Sequence, residues 1–488
     1  MTMIVKPQDV TDDHAINELV SSTLLRLKFQ DRNNIREETH GVQNLAREET
    51  PELIRESLFQ MDKELEALLS ASHKHGPGFG CAYEQARSLP TTFVNDRDYR
   101  LKFLRCTLFD PAKAADKMIV HLDYLLLLFG PRALKESLKT NFFVKEEAVA
   151  LREGYIQLLP FPDQSGRRVI VFLPQILSYT PTLRVKLGFF FCVVAMENAE
   201  SQRRGVVTIA WFGSSPLLGI EGSTPRVPGT PGNKPVILPS GRSVANGLHA
   251  RIIGIHFCFP DTPIFRIIRA FYVIAIGEHW RSRCVFHYGT KLEMQYKMMG
   301  YGIPVSQIPA TDTGVVKVKN YNQWLRTRRL VEKDPTANAQ ICECPGLNDV
   351  LFRRAGSCLA HPGNARFKNM LESKKEKHVN SNQTEKRDIA WSIVELVECK
   401  NGRFLSWDTK KTCWMIMTDR VEIRQKVAMS IRDFNLQSKA AENQQSYQSS
   451  TNAFQHHGGK KRKLDSTENI FSPCNIGFSF KPYNTPCL

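Results

Sequence analysis

The residues whose types could do chemistry fall into a few groups. Cys342-x-Cys344, Cys358 and His361 supply ligand types that zinc takes, but the spacing is not that of the usual structural sites, so no metal is expected. Arg353, Arg354, Arg366, Lys368, Lys374, Lys375 and Lys377 gather cations around one loop and the helix after it, which reads as a solvated face or a phosphate-contacting patch. Lys460, Lys461, Arg462 and Lys463 form a compact basic run, suited to nuclear import or to an anionic contact. The segment 262–276 sets Phe265, Ile268 and Tyr272 on one helical face, widened by Ile264, Ile267, Phe271, Ile274 and Ala275, with Arg266 and Arg269 its only charges. Such a helix is either buried or turned toward a lipid chain or a membrane. No nucleophile–base arrangement, paired-carboxylate motif or phosphate loop stands at recognisable spacing, so no catalytic residues and no enzyme are expected.

Composition narrows the partners. The chain has 488 residues, 42% hydrophobic, and 66 Lys plus Arg against 49 Asp plus Glu, a formal charge of +17. That apolar fraction supports real cores and excludes wholesale disorder. Residues 341–488 are net +8 and residues 1–340 net +9, so the shorter C-terminal part is roughly twice as basic per residue. Anionic membrane surfaces and nucleic acid are both compatible with this balance. The longest clean apolar run, Leu187 to Met196, is far short of the ~20 residues of a bilayer span, so no transmembrane segment is expected. The first residues turn acidic early and show no secretory signal, and the 12 cysteines read as reduced thiols. The expected location is the cytoplasm, the nucleus or both.

The elements that must position these groups follow from periodicity. Residues 11–73 read as two amphipathic helices, the second opening at Thr50-Pro51-Glu52, with 32–49 a solvated connection between them. Another helix opens at Asp110-Pro111. From Gly154 the period changes to short β-branched and aromatic runs, 155–159, 168–173, 206–212 and 252–259, separated by long segments, the pattern of a mixed α/β sheet with crossovers. Residues 213–247 are too rich in Gly, Pro and Ser for continuous helix. The domain expectation is an N-terminal helical region at 1–80, a helical lead-in at 81–140, an α/β domain at 145–312, a polar linker at 313–346 with one or two helical turns at 321–331, a small α+β domain at 347–434 and a disordered basic tail at 435–488.

Two family resemblances add to this. The run Leu101-Lys102-Phe103-Leu104-Arg105 with Phe109-Asp110 and Lys113-Ala114 resembles the helical lead-in of the CRAL-TRIO lipid-binding family. Arg251-Ile252-Ile253-Gly254-Ile255-His256-Phe257, then Pro260, an apolar helix, and Arg281 to Gly289 are similar to that family's floor strand, gate helix and closing strand, nearest to its tocopherol- and retinaldehyde-binding members. Asp163 to Val171 resembles the family's first hairpin. The resemblance implies one bound lipid or small hydrophobic molecule under a gate helix bearing Phe265, Ile268, Phe271 and Tyr272, and no other cofactor. It also implies peripheral membrane contact through Arg266 and Arg269, each worth on the order of 1 kcal/mol toward an anionic surface. Arg251 and Arg283 are the residues it implies for a polar head group. Ala250 stands where phosphoinositide-binding members have Glu, so half of that family's inositol-phosphate pair is missing. The helix that follows the strand ending near Phe212 in that family would fall in 213–247, where one wall of the pocket is expected to be remodelled.

The second resemblance is to a domain family of unknown function. Asp349-Val350-Leu351, a Gly-containing loop and His361-Pro362-Gly363-Asn364-Ala365-Arg366 look like its opening, and the match runs over about 349–433. His361, Asn364 and Arg366 are its motif residues here. Asn364 is expected to fix a turn by bonding backbone. Helices at 365–378 and 384–399 followed by a hairpin resemble the order of winged-helix units. The expectation is intracellular binding, transfer or sensing of a lipid, coupled to a basic domain that meets a protein or nucleic-acid partner. The alternative is a nuclear DNA-associated regulator that uses the lipid fold only as a scaffold.

Overall fold

Three helices of this chain open where a capping side chain precedes proline. Thr50, Asp110 and Thr180 each accept a hydrogen bond from the N–H three residues on, with Pro51, Pro111 and Pro181 in the first turn, where a missing N–H costs nothing. The structure is a computed structural model and describes residues 13–455, apart from 91, 214–235, 312, 337, 354–357, 359 and 360. It divides into two compact units, Met1–Ala428 and Met429–Leu488.

The lead-in of the first unit comprises α1 (Asp13–Leu25), α2 (Phe29–Thr39), α3 (Pro51–Ser70), α4 (Cys81–Arg87), α5 (Arg97–Cys106) and α6 (Pro111–Phe129). The α6 helix is buried over most of its length and forms the centre of this layer. The helix α2 runs into what reads from sequence as a solvated connection, and its last residues, Glu38 and Thr39, are buried.

After α7 (Lys145–Glu153) the strands β1 (Ile156–Leu158), β2 (Arg168–Phe172), β3 (Val206–Trp211), β4 (Ile252–Phe259) and β5 (Cys284–Tyr288) form one sheet in that order. The first pair is antiparallel and the rest are parallel. The parallel strands need crossovers. Among the described residues these hold α8 (Pro181–Ala195) with α9 (Ala199–Arg204), then α10 (Val244–Gly247), then α11 (Pro263–Ala275) with α12 (Glu278–Arg281). All of β4 is buried, as expected for a strand covered on both faces. Ile255, Phe257 and Phe259 belong to the larger core with α6, α8 and α11. Ile253 and Cys258 belong to a second core, closed by Met294 and Met298 of α13 (Lys291–Met299).

The 313–346 segment is not a linker along its length. It contains α14 (Lys319–Lys333), which buries Tyr321, Trp324, Leu325 and Arg328. The strand β6 (Ile341–Cys342) then enters a second sheet, with order β6-β9-β8-β7, where β7 is Val350–Phe352, β8 is Phe404–Asp408 and β9 is Cys413–Ile416. Because β7 runs parallel to β8, the helices between them, α15 (Pro362–Ser373), α16 (Lys375–Asn380) and α17 (Gln383–Glu398), form a crossover. The winged-helix likeness rests on element order, two helices and then a hairpin; here that hairpin is also joined by β7, in parallel, and by β6. A last helix, α18, spans Arg420–Gln455, longer than the 420–434 read from the sequence. Its residues from Met429 onward fall in the second unit. The basic run Lys460–Lys463 lies outside the described residues.

Candidate functional site

The helix α11 lies on the apolar face of the parallel sheet. Phe265 and Ile268 are buried and Tyr272 is half-buried, over rings supplied by the strands. Phe265 stacks on Phe259 with centroids 5.4 Å apart, and Tyr272 meets Phe257 at 4.9 Å. Phe257 stacks on Phe286 at 5.1 Å, and Phe212 reaches Phe259 at 5.2 Å. The neighbouring stripe of α11, Ala270 and Val273, is covered by Ile16 of α1. The outward stripe stays in solvent: Ile264 is 51% exposed, and Ile267 and Ile274 are each 37% exposed. Phe271 is intermediate.

The two arginines of this helix part company. Arg266 is exposed beside Asp261, with its Nη2 donating to Oδ1 at 3.4 Å. Arg269 is turned along the α1 contact, where it donates to Asn17 and sits 5.1 Å over the Phe286 ring. Arg269 therefore does not face outward, as the membrane expectation requires of both.

The arginines expected at a polar head group, Arg251 and Arg283, do meet, and what joins them is a carboxylate from α2. Glu38, 2% exposed, bridges Arg251 through Oε1 and Arg283 Nη1 through Oε2, the latter at 3.0 Å. Its Oε1 also accepts from the Leu45 N–H at 3.0 Å. Arg251 Nη2 donates to Asn44 Oδ1 at 2.7 Å and to the Arg203 carbonyl, and Arg283 Nη1 donates to the Ile253 carbonyl at 3.1 Å. Burial lowers Arg251 from its ordinary range, and the charge of Glu38 opposes that.

The segment is fastened at neighbouring points. Arg167 Nη1 donates to the carbonyls of Glu38 at 2.6 Å and Thr39 at 3.2 Å, while its Nε pairs with buried Asp163. Thr39 Oγ1 donates to the Ile253 carbonyl at 3.3 Å, and His40 stacks on Tyr301 at 4.4 Å. Beneath Tyr301, His256 Nδ1 and His287 Nε2 stand 2.9 Å apart, and burial holds both imidazoles below their ordinary range, His287 at about 4. Sequence reasoning missed Glu38, because α2 has no apolar period and its partners are more than 200 residues away. Its one visible signal was an acid in a charge-rich segment, able to answer Arg251 and Arg283, which directly precede β4 and β5.

In the small domain the motif residues organise backbone. Asn364 Oδ1 accepts from Leu351 N–H at 2.7 Å, and its Nδ2 donates to the carbonyls of Leu351 at 3.1 Å and Cys358 at 2.9 Å. The amide thus completes the edge of β7 as a neighbouring strand would. His361 caps α15, its Nδ1 accepting from Gly363 N–H at 3.2 Å. Burial and the nearby Arg366 charge lower that imidazole to about 4, against the opposing field of Asp349. A Cβ at Gly363 would come within 2.0 Å of the Asp349 carbonyl, so the turn needs glycine. Asp349 grips Arg403 through Oδ2 to Nη2 at 2.7 Å, and its Oδ1 accepts from the Arg403 N–H at 2.9 Å.

The cations expected to form a patch here are partly engaged. Arg366 donates to Asn348, and Arg353 lies 3.9 Å over the Trp407 ring. Arg354 lies outside the described residues. Among the described residues no three His, Cys, Asp or Glu side chains gather as a metal site. The Cys342 thiol instead accepts from Arg403 Nη2 at 3.4 Å.

The two sheets share a seam. The Phe161 ring sits 5.1 Å from His361 and joins the small domain's core. Trp324 Nε1 donates to Glu343 Oε2 at 3.0 Å, and buried Arg328 takes Glu197, Glu332 and Glu343 together.

Residues 349–433 match a family described as a domain of unknown function (DUF6824). No curated protein matches the chain. Among the described residues no helix is long and apolar enough to cross a membrane.

Proposed function

We propose that residues 145–312 with their helical lead-in form a CRAL-TRIO-like domain that binds one hydrophobic or phospholipid ligand beneath α11. In this reading the small C-terminal domain, joined through the Phe161–His361 and Arg328 seam, presents a surface to a protein or nucleic-acid partner. The protein works without catalysis, in the cytoplasm, the nucleus or both.

The observation that carries the proposal is the division of α11 into a buried aromatic stripe and an exposed isoleucine stripe. Lifting it from the sheet uncovers Phe265 and Ile268, which costs about 3–6 kcal/mol in water. Burying the half-exposed Ile264, Ile267 and Ile274 in a bilayer returns roughly 3 kcal/mol, and Arg266 beside anionic lipid adds about 1 kcal/mol. Opening is therefore unfavourable in water, and a membrane that takes up the isoleucine stripe lowers its cost. The test is extraction of a fluorescent lipid from anionic vesicles by the full chain. Wild type should extract and I264N/I267N should not; equal activity of the two, or none from either, would contradict the reading.

A second reading is the nuclear DNA-associated regulator with the α/β unit as scaffold. What favours it is the ring layer of Phe212, Phe257, Phe259, Phe265 and Phe286, whose members pack on one another with centroids 5.1–6.0 Å apart. Salt-dependent DNA binding together with no lipid extraction would select it.

A further inference from the structure

Where α7 passes α14 there is a cleft of about 280 Å³ lined by Arg152, Asn322, Leu325, Arg326 and Arg329. On α14, Asn322, Arg326 and Arg329 follow at i, i+4 and i+7, which puts them on one face of the helix. Arg152 comes from the other wall, and the two walls are pinned together. The Tyr321 hydroxyl donates to the Leu151 carbonyl, and the Tyr321 ring lies so close to Gly154 that a Cβ there would come within 2.7 Å. Arg152, the next residue after Leu151, is therefore held opposite the stripe by a buried joint.

The charges of this cleft are uncompensated. All three arginines are exposed, and among the described residues none of them is bonded to a carboxylate. The nearest acids in sequence are engaged elsewhere. Glu153 accepts from the Tyr179 hydroxyl, and Glu332 is taken by Arg328 Nε at 2.7 Å and by Thr140 N–H at 2.8 Å. The contrast along α14 is sharp: Arg328, one residue before Arg329, is buried and answered by three glutamates.

Three guanidinium groups around a small cleft suit one compact, doubly charged anion better than a carboxylate, whose single charge and two oxygens satisfy one arginine. A phosphomonoester carries close to two charges and three acceptor oxygens. The volume fits one such group and its carrier atoms against Leu325, and is below the usual range for a larger ligand. We propose that Arg152, Arg326 and Arg329 form a binding site for a phosphomonoester, carried either by a small soluble molecule or by a lipid head group. It is separate from the proposed ligand position beneath α11 and does not depend on it.

The test uses the full chain with two probes. Calorimetry measures glycerol 3-phosphate, and flotation measures vesicles carrying phosphatidic acid, with phosphatidylglycerol vesicles as the diester control. Binding should weaken by at least about tenfold in R326Q/R329Q, with an unchanged melting temperature, and R326K/R329K should recover only part of it because lysine offers a point charge instead of a fork. Arginine-dependent binding of glycerol 3-phosphate supports the proposal with a soluble ligand. Arginine-dependent binding confined to phosphatidic acid supports it with a lipid head group. Binding that survives R326Q/R329Q in both arms, equal binding of the diester vesicles, or no binding of either probe would overturn it.

Discussion

Two arginine clusters in this protein are built from the same side chain and set to opposite ends. Arg251 and Arg283 are drawn into the fold and closed by Glu38, with Asn44 and backbone carbonyls taking further donors. Arg152, Arg326 and Arg329 rim a cleft, and the acids beside them are bonded to other partners. A buried charge must be answered from within the chain or it destabilises the fold, whereas an exposed one is hydrated and remains available. The first cluster therefore reports on stability and the second on recognition.

Substitutions should separate them. Removing the bridging carboxylate in E38A leaves two poorly hydrated guanidinium groups and should cost about 3–5 kcal/mol in urea unfolding. E38Q, which keeps the shape and one acceptor, should cost less. If E38A melts with wild type, the two clusters are energetically alike and the comparison fails.

The next largest effect is expected from acid. His256 and His287 beneath Tyr301, with His121 and His249 in the helical layer, are all held below their ordinary range by burial. The unfolded chain then binds protons that the folded chain refuses, so stability is full above about pH 6.5 and falls as pH drops toward 4. For His287, with a folded value of about 4, the loss approaches about 3 kcal/mol at the low end. Urea midpoints measured from pH 7 to pH 4.5 should decline steadily. A flat profile would show that the buried imidazoles do not govern acid stability.

A smaller effect is expected in the small domain. N364A removes the three hydrogen bonds that complete the edge of β7, and should cost about 1–3 kcal/mol. The smallest is expected at the open cluster, where R326Q or R329Q should change stability by no more than about 0.5 kcal/mol. A large loss there would mean that those arginines are structural after all.

The parts of the fold legible in the sequence were those whose burial is apolar. The strand Ile252–Phe259 is a mostly apolar run interrupted only by Gly254 and His256, and helix starts at Thr50-Pro51 and Asp110-Pro111 carry their caps in their residue types. The illegible parts were held by charge or by very short pairings. The helix Phe29–Thr39 buries a glutamate instead of an apolar stripe, so its periodicity is silent. The helix Lys319–Lys333 reads as a connector with only a turn or two of helix because Arg328 continues the buried stripe of Tyr321, Trp324 and Leu325, and the glutamates that neutralise it include Glu197, 131 residues away. Strands of two and three residues, Ile341–Cys342 and Val350–Phe352, are too short to show alternation, and without them the small domain reads as helices plus a hairpin.

The proposed ligand position beneath α11 would take a single apolar molecule. The direct measurement is native mass spectrometry of the full-length protein after exposure to total cell lipid. A shifted species carrying one lipid is expected, and it should be lost in I264N/I267N. Protein that stays at its own mass across the whole lipid mixture would contradict it.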